Sequence, residues 1–173
     1  KNHNIDEAIA VTKDLNEYTK FSIMPMRGHY NVTGSGEVFA WQFGFPYAVD
    51  LTRGFARYNP GDTSTIDLLI RGEVDAMFTI GSDPGAHFPI SAVKQFAHIP
   101  SVCIDPHLTP TSGVSKLHVP VAFNGVETGG NCYRMDNVPI DCRKVVEPPE
   151  GMLTDEQFLI KVRDRVRQLK GAA

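Results

Sequence analysis

The sequence predicts an α/β fold: a Rossmann-like parallel sheet flanked by helices, followed by an irregular β-rich C-terminal flap. Three observations predict it. Between residues 62 and 104 amphipathic segments alternate with short apolar runs at βαβ spacing. Three apolar runs lead directly into polar loops: Met26-Arg27-Gly28-His29-Tyr30-Asn31-Val32-Thr33-Gly34, Gly81-Ser82-Asp83-Pro84, and Asp105-Pro106-His107-Leu108-Thr109-Pro110-Thr111. After Pro110 the alternation gives way to short extended pieces broken by turn signals. In an open α/β sheet, ligands bind beyond the carboxyl ends of the strands, so three such loops can build one ligand site.

Each element has its own signal. Asn4 is placed to cap a helix over 5–18, with Ile5, Ala8, Ile9, Val11, Leu15 and Tyr18 on one face. Residues 21–24 read as a short strand. The Gly- and aromatic-rich stretch 27–60, with the only Trp, Trp41, is too long for a plain loop and predicts a short helix over 37–43. Asp62, Thr63 and Ser64 are N-cap candidates for a helix carrying Ile66, Leu69 and Ile70 and closing near Gly72. A strand over 76–80, a helix over 90–97 and a strand over 101–104 follow. Extended pieces at 116–121 and 131–146 form the flap, with turns at Asn124-Gly125 and Asp136-Asn137. Thr154 and Gln157 make a capping box for a terminal helix whose Phe158, Ile160, Val162 and Val166 are partly buried.

Composition narrows the function classes. At 173 residues, 42% hydrophobic and 21% charged, the whole chain fits one α/β domain able to bury roughly 70% of its unfolded surface. Cys103, Cys132 and Cys142 match neither a zinc or iron-sulfur spacing nor an even disulfide framework, so a cytoplasmic setting is expected. A net charge of −3 and a pI near 6.1 argue against nucleic acid, and no apolar run approaches the ~20 residues of a membrane helix. The chain opens at Lys1 without a signal-peptide pattern, as a piece of a longer protein does.

Several loop residues carry candidate chemistry. Arg27, after a strand and before Gly28, presents a planar fork suited to a carboxylate or phosphate, or to a structural salt bridge. Asn31 and Gly34 suit a pinned turn and a glycine of positive φ. Asp83 and Asp105 each end a strand and precede Pro, which holds them extended. Such a carboxylate either accepts from paired ring N–H and exocyclic NH₂ donors, as guanine presents, or caps the next helix. Thr109, Thr111 and Ser112 offer hydroxyls to phosphate oxygens or simply form a turn. The histidines show no HxxxH or HExxH spacing, so no metal site is expected; His29 and His87 matter for the loops they occupy. There is no full dinucleotide fingerprint, phosphate loop or nucleophile elbow.

Taken in order, these loops resemble the molybdopterin oxidoreductases, which hold guanine-dinucleotide pterins on tungsten or molybdenum. The resemblance covers residues 21–144 and rests on Arg27-Gly28-x-x-Asn31-Val32-x-Gly34, Gly81-x-Asp83-Pro84, Asp105 followed by Thr109-x-Thr111, the strand ending at Pro120, and Glu127-x-x-Gly130. Within that family the sequence is most similar to the catalytic B subunits of formylmethanofuran dehydrogenases, at Tyr58-Asn59-Pro60-Gly61, Arg71-Gly72-Glu73-Val74-Asp75-Ala76 and Tyr133-Arg134-Met135-Asp136 among others. The resemblance implies reduction of CO₂ to formate, with Arg27 orienting formate or CO₂. It further implies Gly81, Asp83, His87, Asp105, Thr109 and Thr111 as dinucleotide contacts, beside Asn31 and Gly34, with His29 on the pterin or a phosphate. The metal-ligating Cys and the iron-sulfur cysteines of the family have no match here, which implies a C-terminal portion that holds the cofactor jointly with an N-terminal part, where the cluster also belongs. The partners implied are the other subunits of such a complex. His118 interrupts the Pro-ended strand, and Ser115-Lys116 stand where the family has Ala-Asp. A redox-inactive scaffold of a formyltransferase/hydrolase complex is the alternative reading; an ordinary formate dehydrogenase would carry a further β-barrel domain.

Overall fold

The computed structural model describes residues 2–26 and 28–171. Helix α1 (Asn2–Asn16) begins ahead of Asn4, which therefore lies inside the first turn and is not its cap. It closes on Asn16, whose amide donates to the carbonyls of Thr12 and Phe21 at 2.6 and 2.8 Å and accepts from the Phe21 N–H at 3.1 Å. The predicted strand over 21–24 does not form. Those residues are exposed, and among the described residues no strand lies alongside to take their backbone hydrogen bonds.

Helix α2 (Val32–Phe43) starts five residues earlier than expected, because Asn31 adopts a left-handed φ of 52° and turns the chain into it. Gly44, at φ 83°, ends it by returning its N–H to the Ala40 carbonyl at 2.9 Å. Strands β1 (Val49–Asp50) and β2 (Arg57–Tyr58) form a minimal antiparallel pair locked by the Arg57–Asp50 ion pair at 2.8 Å. Helix α3 (Thr65–Ile70) follows Ser64, which makes no side-chain cap bond. Thr63 instead points inward, donating to the Ala48 carbonyl at 2.7 Å and accepting from Asn59 N–H at 2.9 Å.

The alternating region folds as its spacing predicts. Strand β3 (Met77–Ile80), helices α4 (Pro84–His87) and α5 (Ile90–His98), strand β4 (Ser101–Ile104), helix α6 (Pro110–Val114) and strand β5 (Leu117–Val119) build a parallel sheet of order β3-β4-β5. His118 does not interrupt β5: it pairs with Cys103, and its Nε2 donates to the Asp105 carbonyl at 2.9 Å. The core sits on one face, where Leu69 of α3 meets Ala92, Phe96 and Ile99 from α5 and its end.

The flap contains a hairpin of β6 (Gly130–Tyr133) and β7 (Pro139–Cys142), its turn carrying Asn137 at φ 64°. Helix α7 (Asp155–Gly171) opens on the predicted capping box, with Thr154 and Gln157 exchanging bonds of 3.1 Å. Phe158 and Val162 are half-buried, whereas Ile160 and Val166 are exposed. The chain exposes 12210 Å². A compact monomer of its 19.1 kDa mass exposes roughly 8,400 Å², so folding buries about 56% of the extended-chain surface, short of the ~70% expected. Ile5, Ile9, Val11, Met26 and Trp41 contribute to that excess. Among the described residues no helix is long and apolar enough to cross a membrane.

Candidate functional site

A cavity of about 860 Å³ opens at the carboxyl ends of β3 and β4, between the loop leading into α2 and the flap. Seven of the residues singled out in the sequence line it: His29, Asn31, Gly34, Gly81, Asp83, Asp105 and Thr109. Gly81 and Asp105 are brought side by side by the sheet itself, since the Gly81 N–H bonds to the Ile104 carbonyl at 3.0 Å. His87 and Thr111 are not in its wall, although each bonds to the lining residue Asp83. Arg27 lies outside the described residues, immediately before the lining residue Gly28.

Neither aspartate side chain caps the helix that follows it. Asp83 Oδ1 accepts from the Thr111 N–H at 3.0 Å and the Thr111 hydroxyl at 2.5 Å, tying the end of β3 to α6. Thr111 is fully buried, and its hydroxyl also accepts from the Gly85 N–H at 2.8 Å, so that side chain is occupied by the scaffold. A Cβ on Gly85 would stand 2.7 Å from Thr111 N, which is why α4 and α6 can approach only with glycine there. Asp105 Oδ1 accepts from the His107 N–H at 2.9 Å in an Asx turn, while Thr109 and Ser112 provide the cap of α6. Among the described residues Oδ2 of both aspartates carries no hydrogen bond and is available to a ligand donor. Their charges reach Cys103: burial first, then Asp105 and Asp83, push its thiol above the ordinary range, so this buried cysteine is no nucleophile.

Asn31 keeps its expected role as a pinning amide and also takes the positive φ expected of Gly34. The left-handed residue is Asn31, whose amide accepts from Tyr133 N–H at 2.9 Å and donates to the Asn131 carbonyl at 3.3 Å, fastening the hairpin to the loop before α2. Gly34 is helical and buried, and a Cβ there would lie 2.2 Å from Asn31 Oδ1. His29 is half-buried and meets the His87 ring edge-on at 5.4 Å; His87 Nδ1 donates to the Asp83 carbonyl at 2.8 Å.

Some lining residues are not singled out in the sequence as ligand contacts. Tyr30 and the hairpin residues Gly130 and Asn131 close one side. Asp155, visible in sequence only as the first residue of a helix, lines the cavity with Oδ1 buried and without a hydrogen-bond partner among the described residues, while Oδ2 accepts from Asn124 at 2.5 Å. Burial raises its carboxyl above the usual range, opposed by the Asn124 bond and reinforced by Asp105. The site thus offers open backbone at Gly28 and Gly81 and three carboxylates that accept hydrogen bonds.

No protein-family model matches the chain. The B subunit of tungsten-containing formylmethanofuran dehydrogenase 2 from Methanocaldococcus jannaschii is 54% identical over 169 residues, and that from Methanococcus maripaludis 51% identical over 170. Each match takes in 98% of this chain, which spans 39% of the relative's length. Among solved structures, the formyltransferase/hydrolase complex from Methylorubrum extorquens, determined with methylofuran, contains a chain that superimposes with a TM-score of 0.70. That likeness covers 95% of this chain and 44% of the other at 20% identity, and is one of fold. With half or more of its residues identical to those relatives along nearly its whole length, the chain belongs to the family of formylmethanofuran dehydrogenase B subunits, as a portion of one.

Proposed function

We propose that this chain is the part of a formylmethanofuran dehydrogenase B subunit that grips the guanine-dinucleotide end of a tungsten- or molybdenum-pterin cofactor, on a Rossmann-like dinucleotide-binding unit, in a complex reducing CO₂ to formate for formylmethanofuran synthesis. The observation that carries it is the convergence of His29, Asn31, Gly34, Gly81, Asp83, Asp105 and Thr109 on one cavity at the carboxyl edge of a parallel sheet. A volume of about 860 Å³ suits a ligand of that size.

The donor set fits the group. Carboxylate oxygens of Asp83 and Asp105 match the paired N–H and NH₂ donors of a guanine edge, and unpaired buried donors are costly enough to make such recognition selective. The bare backbone at Gly28 and Gly81 leaves room for close approach by phosphates, with the imidazoles of His29 and His107 as further donors. When bound, the metal-pterin group supplies the two-electron redox centre. Arg27 orients formate or CO₂ by charge-assisted hydrogen bonds in this reading. The excess exposed surface is covered by the remainder of the subunit and by partner subunits.

The test is the tungsten and molybdenum content of the complex purified through the full-length subunit. Near-stoichiometric metal supports the redox reading. Absence of both metals from an intact complex leaves the chain as a scaffold whose loops are inherited.

A further inference from the structure

Two thiols that the cofactor reading does not use stand together on the flap. Cys132 of β6 and Cys142 of β7 lie on one face of the hairpin with their sulfurs 3.2 Å apart. In register Cys132 faces Ile140 and Cys142 faces Gly130, so the two are diagonal neighbours, a pairing that strand twist draws together on one diagonal. The Tyr30 hydroxyl reaches Cys142 Sγ at 3.4 Å. We propose that Cys132 and Cys142 form a thiol–disulfide exchange site, with Cys142 as the attacking thiol and Cys132 as the resolving one, reacting with a low-molecular-weight disulfide.

The asymmetry between the two sulfurs follows from their partners. Cys142 receives hydrogen bonds from Tyr30 and then from Cys132, and these hold its thiol below the ordinary range. Cys132 is held above it, first by giving its proton to Cys142 and then by burial, against the pull of Tyr30. The thiolate is the nucleophile, so attack begins at Cys142. Tyr30 is in turn held in its protonated, donating form, by burial and by its bonds to Cys142 and Cys132.

The step balances. Cys142 loses its proton to solvent, and its sulfur attacks one sulfur of the small disulfide, breaking the S–S bond and releasing one small thiolate. Cys132, deprotonated in turn, attacks Cys142 Sγ of the mixed disulfide and expels the second small thiolate. Both thiolates take up the two protons, so two protein thiols are oxidised as one disulfide is reduced to two small thiols. Closing the bond requires the sulfurs to move from 3.2 Å to about 2.05 Å. The strand position opposite Cys142 is Gly130, at φ 142°, which puts no side chain in the way. Tyr30 lines the cavity as well, so oxidation takes from it the thiol it donates to and connects the redox state of the flap to the cavity wall.

The sequence makes the experiment direct, because Arg134 lies between the two cysteines and trypsin separates them. The complex containing the full-length subunit is equilibrated in oxidised and reduced glutathione, quenched in acid, alkylated and digested. The expected result is a disulfide-linked pair of peptides ending at Arg134 and Arg143, replaced by two alkylated peptides in reduced buffer. Cys132→Ser should trap a glutathione adduct on Cys142, whereas Cys142→Ser should leave Cys132 nearly unmodified over the same interval. Tyr30→Phe should slow alkylation of Cys142 by about tenfold through loss of one hydrogen bond to the thiolate. Recovery of both peptides alkylated and unlinked from oxidising buffer, or modification of Cys132 ahead of Cys142, would overturn the proposal.

Discussion

Gly34→Ala is the most informative single change, because its sign depends on another residue. A Cβ at position 34 would lie 2.2 Å from Asn31 Oδ1 and 2.8 Å from both Cγ and Nδ2, so the Asn31 amide must swing away. That movement breaks the bonds to Tyr133 N–H and the Asn131 carbonyl, a loss of about 1–3 kcal/mol at 0.5–1.5 kcal/mol each. Alanine's better helix propensity offsets about 1 kcal/mol, leaving a net destabilisation of roughly 0–2 kcal/mol. Asn31→Ala alone loses the same two bonds and adds about 1 kcal/mol for alanine at a left-handed φ. In that background the obstruction is gone, and Gly34→Ala becomes neutral or stabilising. The assay is hydrogen exchange of the Tyr133 amide in the full-length subunit, which should accelerate roughly 2- to 12-fold in either single variant and no further in the double variant. An equal cost of Gly34→Ala in both backgrounds, or an unchanged Tyr133 amide, would refute the clasp.

Three further outcomes are expected. Gly85→Ala places a Cβ 2.7–2.9 Å from backbone atoms of Thr111 and Pro110 that have nowhere to go, so α4 and α6 should separate at a cost of about 1–3 kcal/mol; a wild-type melting temperature would contradict this. Asp155 has a folded value raised above its unfolded value near 3.9, so its contribution is complete below that pH and is lost as pH rises through the folded value. Asp155→Asn should therefore gain stability relative to wild type as pH increases from about 4, and a variant that falls behind at pH 7 would show that the carboxylate is stabilised by its surroundings. Arg27→Lys should lower formate turnover by roughly 10- to 100-fold, one bidentate charged contact, with cofactor content near normal; unchanged turnover would remove Arg27 from the mechanism.

The parallel sheet is legible in the sequence because its signals are local. Alternating runs, Pro after Asp83 and Asp105, and the Thr154–Gln157 box place β3, α5, β4 and the start of α7 within a residue or two. Residues 21–24 mislead because an apolar run becomes a strand only beside a partner. Long-range contacts are invisible for the same reason: Asn31 meets Asn131 and Tyr133, and Tyr30 meets Cys142, across more than ninety intervening positions. General preference assigns a left-handed turn to Gly34, whereas the amide of Asn31 tolerates that backbone and uses it. His118 reads as a break in a strand and instead completes the hydrogen bonding of the Asp105 carbonyl.

Whether this cavity holds a guanine dinucleotide is decided by nucleotide release. The complex is purified with the full-length subunit as wild type and as Asp105→Ala, and guanosine monophosphate freed by acid hydrolysis is counted per subunit. Stoichiometric guanosine monophosphate is expected from wild type and a marked loss from Asp105→Ala, with the complex otherwise intact. Full nucleotide occupancy in the variant, or none in the wild type, would contradict the assignment of this cavity to a guanine dinucleotide.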